Sequence, residues 1–324
     1  MFNAMFDTWS SLAFSPWGAD VFSPAPLSSA RGRAGGKFIA DTVDTDIGSM
    51  QYKLFIPSSY SGAPLPLVVM LHGCGQGADD FALGTGMNEL AEKYHCLVAY
   101  PEQSPCANCG KCWNWFEEAH HQRGQGEPAL IAAVTQKILA DYAVDAAKVF
   151  VAGLSSGGAM AVILGRTYPD LFTAVGCHSG LAHGSAKDSY GAMLAMRDGA
   201  DLDQLANAET GTSLPIIVFH GDMDSTVHAN NSAGVVQQSI DSYAAQRRHG
   251  RGKLSLARTR ETGEDTGRRF TREVHRGRAG EVVAEHWTVH GAGHAWSGGS
   301  RGGSFTDPHG PDASREMLRF FMFG

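Results

Sequence analysis

Gly153-Leu-Ser155-Ser-Gly157 stands between a continuous apolar run, Val149-Phe-Val-Ala152, and an Ala- and Met-rich segment that opens at Ser156. A serine in a Gly-x-Ser-x-Gly turn, with a strand before it and a helix after it, sits in a tight elbow that presents Oγ at the C-terminal edge of a sheet. Alone, five such residues also describe a glycine-rich helix start; the flanking strand and helix argue against that. The chemistry is nucleophilic. A serine hydroxyl attacks poorly until a positioned base takes its proton, so the chain must also supply a histidine and a carboxylate to orient it.

After such an elbow the partners come in the chain order acid, then histidine, each beyond a later strand. Phe219-His-Gly-Asp222-Met-Asp224 follows one apolar run, and His290-Gly-Ala-Gly-His294-Ala-Trp296 follows another. His294 is read as the general base. Asp222 and Asp224 compete as the acid, and Asp224 is preferred because the loop crossing carries the later carboxylate toward the histidine. His286, His290 and His294 recur every four residues, but Trp287-Thr-Val is strand-like and Gly291 and Gly293 break a helix, so a metal site on one helical face is not expected. The oxyanion of a tetrahedral intermediate needs two N–H donors. The Ser156 amide is one, and Leu71-His-Gly73-Cys74-Gly-Gln76 supplies the other, with Gly73 and Cys74 as alternatives and Cys74 favoured.

These residues need a scaffold that brings strand ends to one edge. From Met50 onward, strand-like and helical segments alternate, and Leu67-Val-Val-Met-Leu71, Val149-Phe-Val-Ala152 and Ile216-Ile-Val-Phe219 are continuously apolar, as strands covered on both faces should be. The expected fold is α/β: a doubly wound, mostly parallel sheet with helices on both faces. One helix is expected from about Asp79 to Tyr94. Residues 1–36, rich in Ser, Pro, Ala and Gly, read as an N-terminal arm or linker with an apolar stripe of Phe2, Met5, Phe6, Trp9 and Leu12; residues 37–324 read as a single catalytic domain.

With 43% hydrophobic and 18% charged residues among 324 and a net charge of -7, the chain is neither disordered nor a polyanion binder by composition, and no apolar run is long enough to span a membrane. Arg247 to Arg278 is locally basic and is read as a solvated surface, since no nucleic-acid module is visible. The first basic residue is Arg31, so no signal peptide is visible. Cys106-x-x-Cys109-x-x-Cys112 lacks the further ligands of a zinc or iron–sulfur site, so at least one disulfide, and hence an oxidising compartment, is expected over metal. The long segment Pro101 to Glu127 leaves a strand end carrying Trp113, Trp115 and Phe116; Trp115, with Trp296 from the histidine loop, is expected to line a substrate groove, while Trp113 fits the core equally well.

Together the motifs resemble the poly(3-hydroxybutyrate) depolymerase-like esterases of the α/β-hydrolase superfamily. The resemblance runs from about Met50 to Phe323 and rests on Leu71 to Gln76, Cys112-Trp-Asn-Trp-Phe116, Arg123-Gly-Gln-Gly-Glu-Pro128, Ala152 to Gly158, Val218 to Asp222 with Asp224, and Gly293-His-Ala-Trp-Ser-Gly-Gly299. It implies Ser155, Asp224 and His294 as a triad, Cys74 and Ser156 as oxyanion donors, a Cys74–Cys112 disulfide, no metal or organic cofactor, and a polyester or its oligomers as the ester substrate. It also implies an extracellular or periplasmic setting. Cys106 and Cys109 are additional to the pattern, and the separate polymer-adsorbing domain of many secreted depolymerases is not seen. Feruloyl and acetylxylan esterases share the layout, an acyltransferase would use the same residues, and a silent hydrolase-fold binding protein is the non-enzymatic alternative.

Overall fold

The apolar runs form the middle of a ten-stranded sheet. In chain order its strands are β1 (Lys37–Thr45), β2 (Gly48–Ile56), β3 (Leu65–Leu71), β4 (Leu97–Pro101), β5 (Val144–Leu154), β6 (Ala174–His178), β7 (Ile216–Gly221), β8 (Ala257–Asp265), β9 (Arg268–Arg276) and β10 (Val282–Val289). In space the order is β1-β2-β4-β3-β5-β6-β7-β10-β9-β8. The six strands from β4 to β10 run parallel, and β1–β2 and β9–β8 flank them as antiparallel pairs. This computed structural model describes residues 35–199, 214–247 and 256–324. The expected arm and its apolar stripe lie outside the described residues, apart from 35 and 36.

Alternate residues of each central strand enter different cores, which is why the strands read as unbroken apolar runs. Leu67, Val69, Leu71, Val149, Val151 and Val218 face one side, beneath helices α3 (Gly126–Asp141), α4 (Ser156–Thr167), α5 (Ser189–Asp198) and α6 (Asn230–Gln246). Val68, Met70, Phe150, Ala152, Ile217 and Phe219 face the other, beneath α1 (Ala78–Thr85), α2 (Met87–Tyr94) and α7 (Ala313–Phe323). The helix expected over Asp79 to Tyr94 is two: Gly86 adopts φ 62°, ending α1 and starting α2.

The basic segment is also more structured than its charge suggests. Its described part pairs β8 with β9 around a tight turn at Thr266 and Gly267, both at positive φ. Several of its described arginines face carboxylates: Arg268 meets Asp307 at 2.6 Å, Arg272 meets Glu285 at 3.0 Å, and Arg258 meets Glu273. Among the described residues, no helix is long and apolar enough to cross a membrane.

Candidate active site

Ser155, Asp224, His294 and Cys74 each lie within a few residues of the C-terminal end of a parallel strand, where open α/β sheets gather ligands. Ser155 follows β5 with φ 57° and ψ -120°, a conformation that costs energy for a residue with a Cβ. Its surroundings enforce it: the Ser155 N–H donates to the carbonyl of His178 at 2.8 Å, and the Ser155 carbonyl begins α4 by accepting the Ala159 N–H at 3.0 Å. The neighbouring glycines are steric necessities. A Cβ on Gly157 would lie 2.1 Å from the Leu71 carbonyl oxygen, and one on Gly153 would lie 2.3 Å from that of Gly157.

Asp224, beyond β7, and His294, beyond β10, meet directly: His294 Nδ1 donates to Asp224 Oδ2 at 2.7 Å. The other carboxylate oxygen accepts the N–H groups of Thr226 at 2.9 Å and Val227 at 2.8 Å. Burial opposes ionisation of Asp224, but hydrogen bonds from His220, His294 and Val227 outweigh it and hold the carboxyl well below the usual carboxylate range. With Nδ1–H committed to Asp224, the His294 ring is held in the tautomer whose Nε2 can accept a proton. Asp222 serves another histidine, receiving His290 Nδ1 at 2.8 Å and the Gly291 N–H at 2.7 Å.

The loop after β3 is stitched down on all sides. The Gly73 N–H is taken by Gln76 Oε1 at 2.9 Å, which leaves the Cys74 amide as that loop's candidate donor beside the amide of Ser156. A Cys74–Cys112 disulfide joins this loop to the Trp-bearing loop, with Cα atoms 4.2 Å apart. The Gly75 N–H donates to the Gly110 carbonyl at 2.8 Å. Cys106 and Cys109 are free and exposed, whereas Cys96 and Cys177 are free and buried.

The structure corrects the expected groove. Trp296 is 1% exposed; its Nε1–H donates to Ser314 Oγ at 3.0 Å and its ring stacks on His178 at 5.0 Å. Trp115 is 4% exposed and packs edge-on against Phe116, and Trp113 is fully buried with Nε1 on the His72 carbonyl. These rings lie on loops after the strand ends, as expected, but are buried against the protein rather than open to a groove. Among the described residues, Met223, whose N–H donates to Ala292, and Phe305, whose carbonyl accepts from Trp296, are exposed apolar side chains tied to the histidine loop.

A reading by motif passes over three supporting residues. His178 ends β6 and touches both halves of the site: its carbonyl holds Ser155, and its Nε2 accepts the Ser297 N–H at 3.0 Å. Burial, with His220 and His294 nearby, pushes this histidine down to about 3, so the ring remains a neutral acceptor. Its place at the end of a strand beside the elbow was the available signal. Glu127, inside the Arg123 to Pro128 motif, is buried and accepts Asn114 N–H at 2.8 Å, Asn114 Nδ2 at 2.6 Å and Gln103 Nε2 at 2.5 Å. Burial raises its pKa against the pull of His120, Gln103 and Asn114. Gln103 in turn donates its main-chain N–H to His72 Nε2 at 3.1 Å, so one buried polar network fastens the Trp-bearing loop to the loop after β3. Among the described residues, no group of three or more His, Cys, Asp or Glu side chains is arranged to hold a metal ion.

A mostly parallel sheet, a strained serine elbow beyond β5 and an Asp–His pair beyond β7 and β10 define the α/β-hydrolase class. A solved structure of acetyl xylan esterase from Aspergillus awamori shares this fold, with a TM-score of 0.66 at 20% identity over 88% of this chain and 100% of that one. The family model described as esterase PHB depolymerase matches residues 50–260, and the chain belongs to that family. It is 30% identical over 259 residues to poly(3-hydroxyalkanoate) depolymerase C of Paucimonas lemoignei, covering 77% of this chain and 59% of that protein. It is 35% identical over 130 residues to feruloyl esterase B of Neurospora crassa, covering 40% and 43%. The chain thus spans about half the length of these relatives.

Proposed function

We propose that this protein hydrolyses carboxylic esters of short-chain hydroxyalkanoate polyester or its oligomers, by an acyl-enzyme route through Ser155. The observation that carries the reading is the His294–Asp224 hydrogen bond beyond the same sheet edge as the strained Ser155 elbow. In the proposed sequence, Ser155 Oγ attacks the ester carbon while His294 Nε2 takes the hydroxyl proton. The Cys74 and Ser156 amides receive the oxyanion, and collapse expels the alcohol with the proton returned by His294. Water, deprotonated by the same nitrogen, then releases the acid. Asp224 holds the ring and favours its transient imidazolium. The disulfide fits an oxidising compartment, extracellular or periplasmic.

The family and the name of the Paucimonas relative support the polyester; the name of the Neurospora relative supports a feruloyl ester as a second reading. A panel of hydroxybutyrate oligomers, polymer film, acetylated xylan and feruloyl esters, run with the wild type and Ser155→Ala, separates the two. Preference for the plant-wall esters overturns the substrate assignment, and undiminished turnover by Ser155→Ala overturns the mechanism. Added alcohols that trap the acyl group more efficiently than water would identify a transferase. Absence of fluorophosphonate labelling at Ser155 would identify a silent binding scaffold.

A further inference from the structure

Asp224 is held by a second histidine. His220, next to last in β7, is 1% exposed, and its Nε2 lies 2.8 Å from the carbonyl oxygen of Val227 and 3.3 Å from Asp224 Oδ2. A carbonyl and a carboxylate oxygen can only accept, so the ring hydrogen sits on Nε2. The other nitrogen, Nδ1, is buried with no hydrogen-bond partner among the described residues. Val227 closes a small circuit: its N–H donates to Asp224 Oδ1, and its C=O accepts from His220. A histidine that merely filled the core would not need to share an oxygen with the base. Here Asp224 Oδ2 receives His294 Nδ1 at 2.7 Å on one side and faces His220 Nε2 on the other.

We propose that His220 is a positioning residue: its Nε2–H, shared between Val227 O and Asp224 Oδ2, fixes the rotation of the carboxylate and limits how strongly Asp224 favours the imidazolium of His294. The proposal rests on the reading of Asp224 and His294 as acid and base. A carboxylate oxygen that accepts two N–H groups spreads its charge between them, so each receives less than it would from an unshared oxygen. The other titratable side chains near this pair are His178 from β6 and His286 from β10, both pushed down by burial and by His220, to about 3 and about 4. Beyond them, Glu273, His275 and Arg258 of the β8–β9 pair act on His286. The His178 and His286 rings are therefore neutral near pH 7, while the Asp224 carboxylate, held well below the usual range, is charged.

The test uses the full-length chain and compares wild type, His220→Leu and His220→Gln. His220→Leu removes the donor, and His220→Gln restores an N–H on a side chain that can reach both acceptors. Titration of the His294 Cε1–H signal by NMR in a Ser155→Ala background reads the base without turnover. His220→Leu is expected to raise that titration midpoint by about half a pH unit or more, and to lower kcat by roughly 10- to 100-fold with KM little changed. His220→Gln is expected to restore both. A midpoint that is unmoved or lowered in His220→Leu overturns the proposal. In the wild type, 15N NMR at pH 7 should find the His220 hydrogen on Nε2; finding it on Nδ1 also overturns the proposal, even if neither variant folds. Ester hydrolysis that survives Ser155→Ala would instead refute the assigned reaction, an outcome separate from the tautomer and midpoint results.

Discussion

The main-chain carbonyl of His178 accepts the N–H of Ser155 at 2.8 Å while the imidazole of the same residue accepts the N–H of Ser297, three positions beyond His294. One residue at the end of β6 thus ties the elbow of the candidate nucleophile to the loop of the candidate base. The ring can do this because burial keeps it neutral, leaving Nε2 as an acceptor, and because Trp296 and Phe219 both stack on it, at 5.0 and 5.8 Å.

If Ser155 and His294 act as one unit, Ser155→Ala and His294→Ala should each lower kcat by roughly 10⁴- to 10⁶-fold, and the double variant should be little worse than either. Steady-state kinetics on a soluble oligomer checks this. Losses that add in free energy would show that the two residues act separately.

The two aspartates give opposite expectations. Asp224→Asn leaves His294 Nδ1 facing an amide and permits the wrong tautomer, at a cost of about 10⁴-fold in kcat. Asp222→Asn disturbs only His290 and the Gly291 N–H, on the exposed side of the same loop, and should retain most activity. The reverse ranking would transfer the acid to Asp222.

Stability should fall on acidification well before the carboxylates titrate. Burial pushes His178 down to about 3, and His183 and His286 each to about 4. In the unfolded chain these rings take up protons near 6.5, so between that pH and about 4 the unfolded state binds more protons and folding weakens by about 1.4 kcal/mol per pH unit for each ring. Asp224, held below its ordinary value, adds the same trend only below its unfolded pKa of 3.8. Glu127 and Asp312, raised by burial, oppose it just above their ordinary values. Urea unfolding at pH 8, 6 and 5 should show a plateau followed by a steep decline, and His178→Gln should flatten the decline. Constant stability down to pH 5 would contradict the burial of these histidines.

Much of this arrangement is legible in the sequence because it depends on chain order. The elbow motif locates Ser155, and the apolar runs locate the strands whose ends carry Asp224 and His294. What could not be read is what depends on packing across the sheet edge. His178 and Glu127 hold groups 13 or more positions away in sequence, and no local spacing reports a carbonyl that accepts from a residue 23 positions earlier. His220 lies only four residues before Asp224, but that spacing does not show that its ring turns toward the carboxylate. The aromatics mislead for a related reason. Trp113, Trp115 and Trp296 sit on the right loops, but only tertiary contacts decide whether a ring on a loop faces solvent or the core. β8 was hidden because its residues are charged and exposed along an edge strand, so no apolar alternation marks it.

The Cys74–Cys112 disulfide joins the candidate oxyanion loop to the Trp-bearing loop, 38 residues apart in sequence, and neither cysteine belongs to the two hydrophobic cores. Mild reduction should therefore lower kcat at temperatures where the far-UV spectrum is unchanged, because the Cys74 amide loses its tether before the sheet melts. Cys74→Ser with Cys112→Ser should behave like reduced wild type. Simultaneous loss of activity and secondary structure would instead make the bond a support of the whole fold.

Trp296→Ala separates support of the base from contact with substrate. The ring fills space among His178, Phe81 and Ser314, so its removal leaves a cavity and should cost about 3–5 kcal/mol of stability. Its loss also frees the main chain that positions His294 two residues away. A small activated acetate ester and a hydroxybutyrate oligomer should then lose similar factors in kcat, since both depend on the same base, and KM should change little. Met223→Ala should show the complementary pattern: Met223 is exposed beside Ala292, so trimming it should leave stability nearly unchanged and weaken the oligomer more than the acetate. A Trp296→Ala protein of unchanged melting temperature that is impaired only on the oligomer would return that ring to the substrate groove.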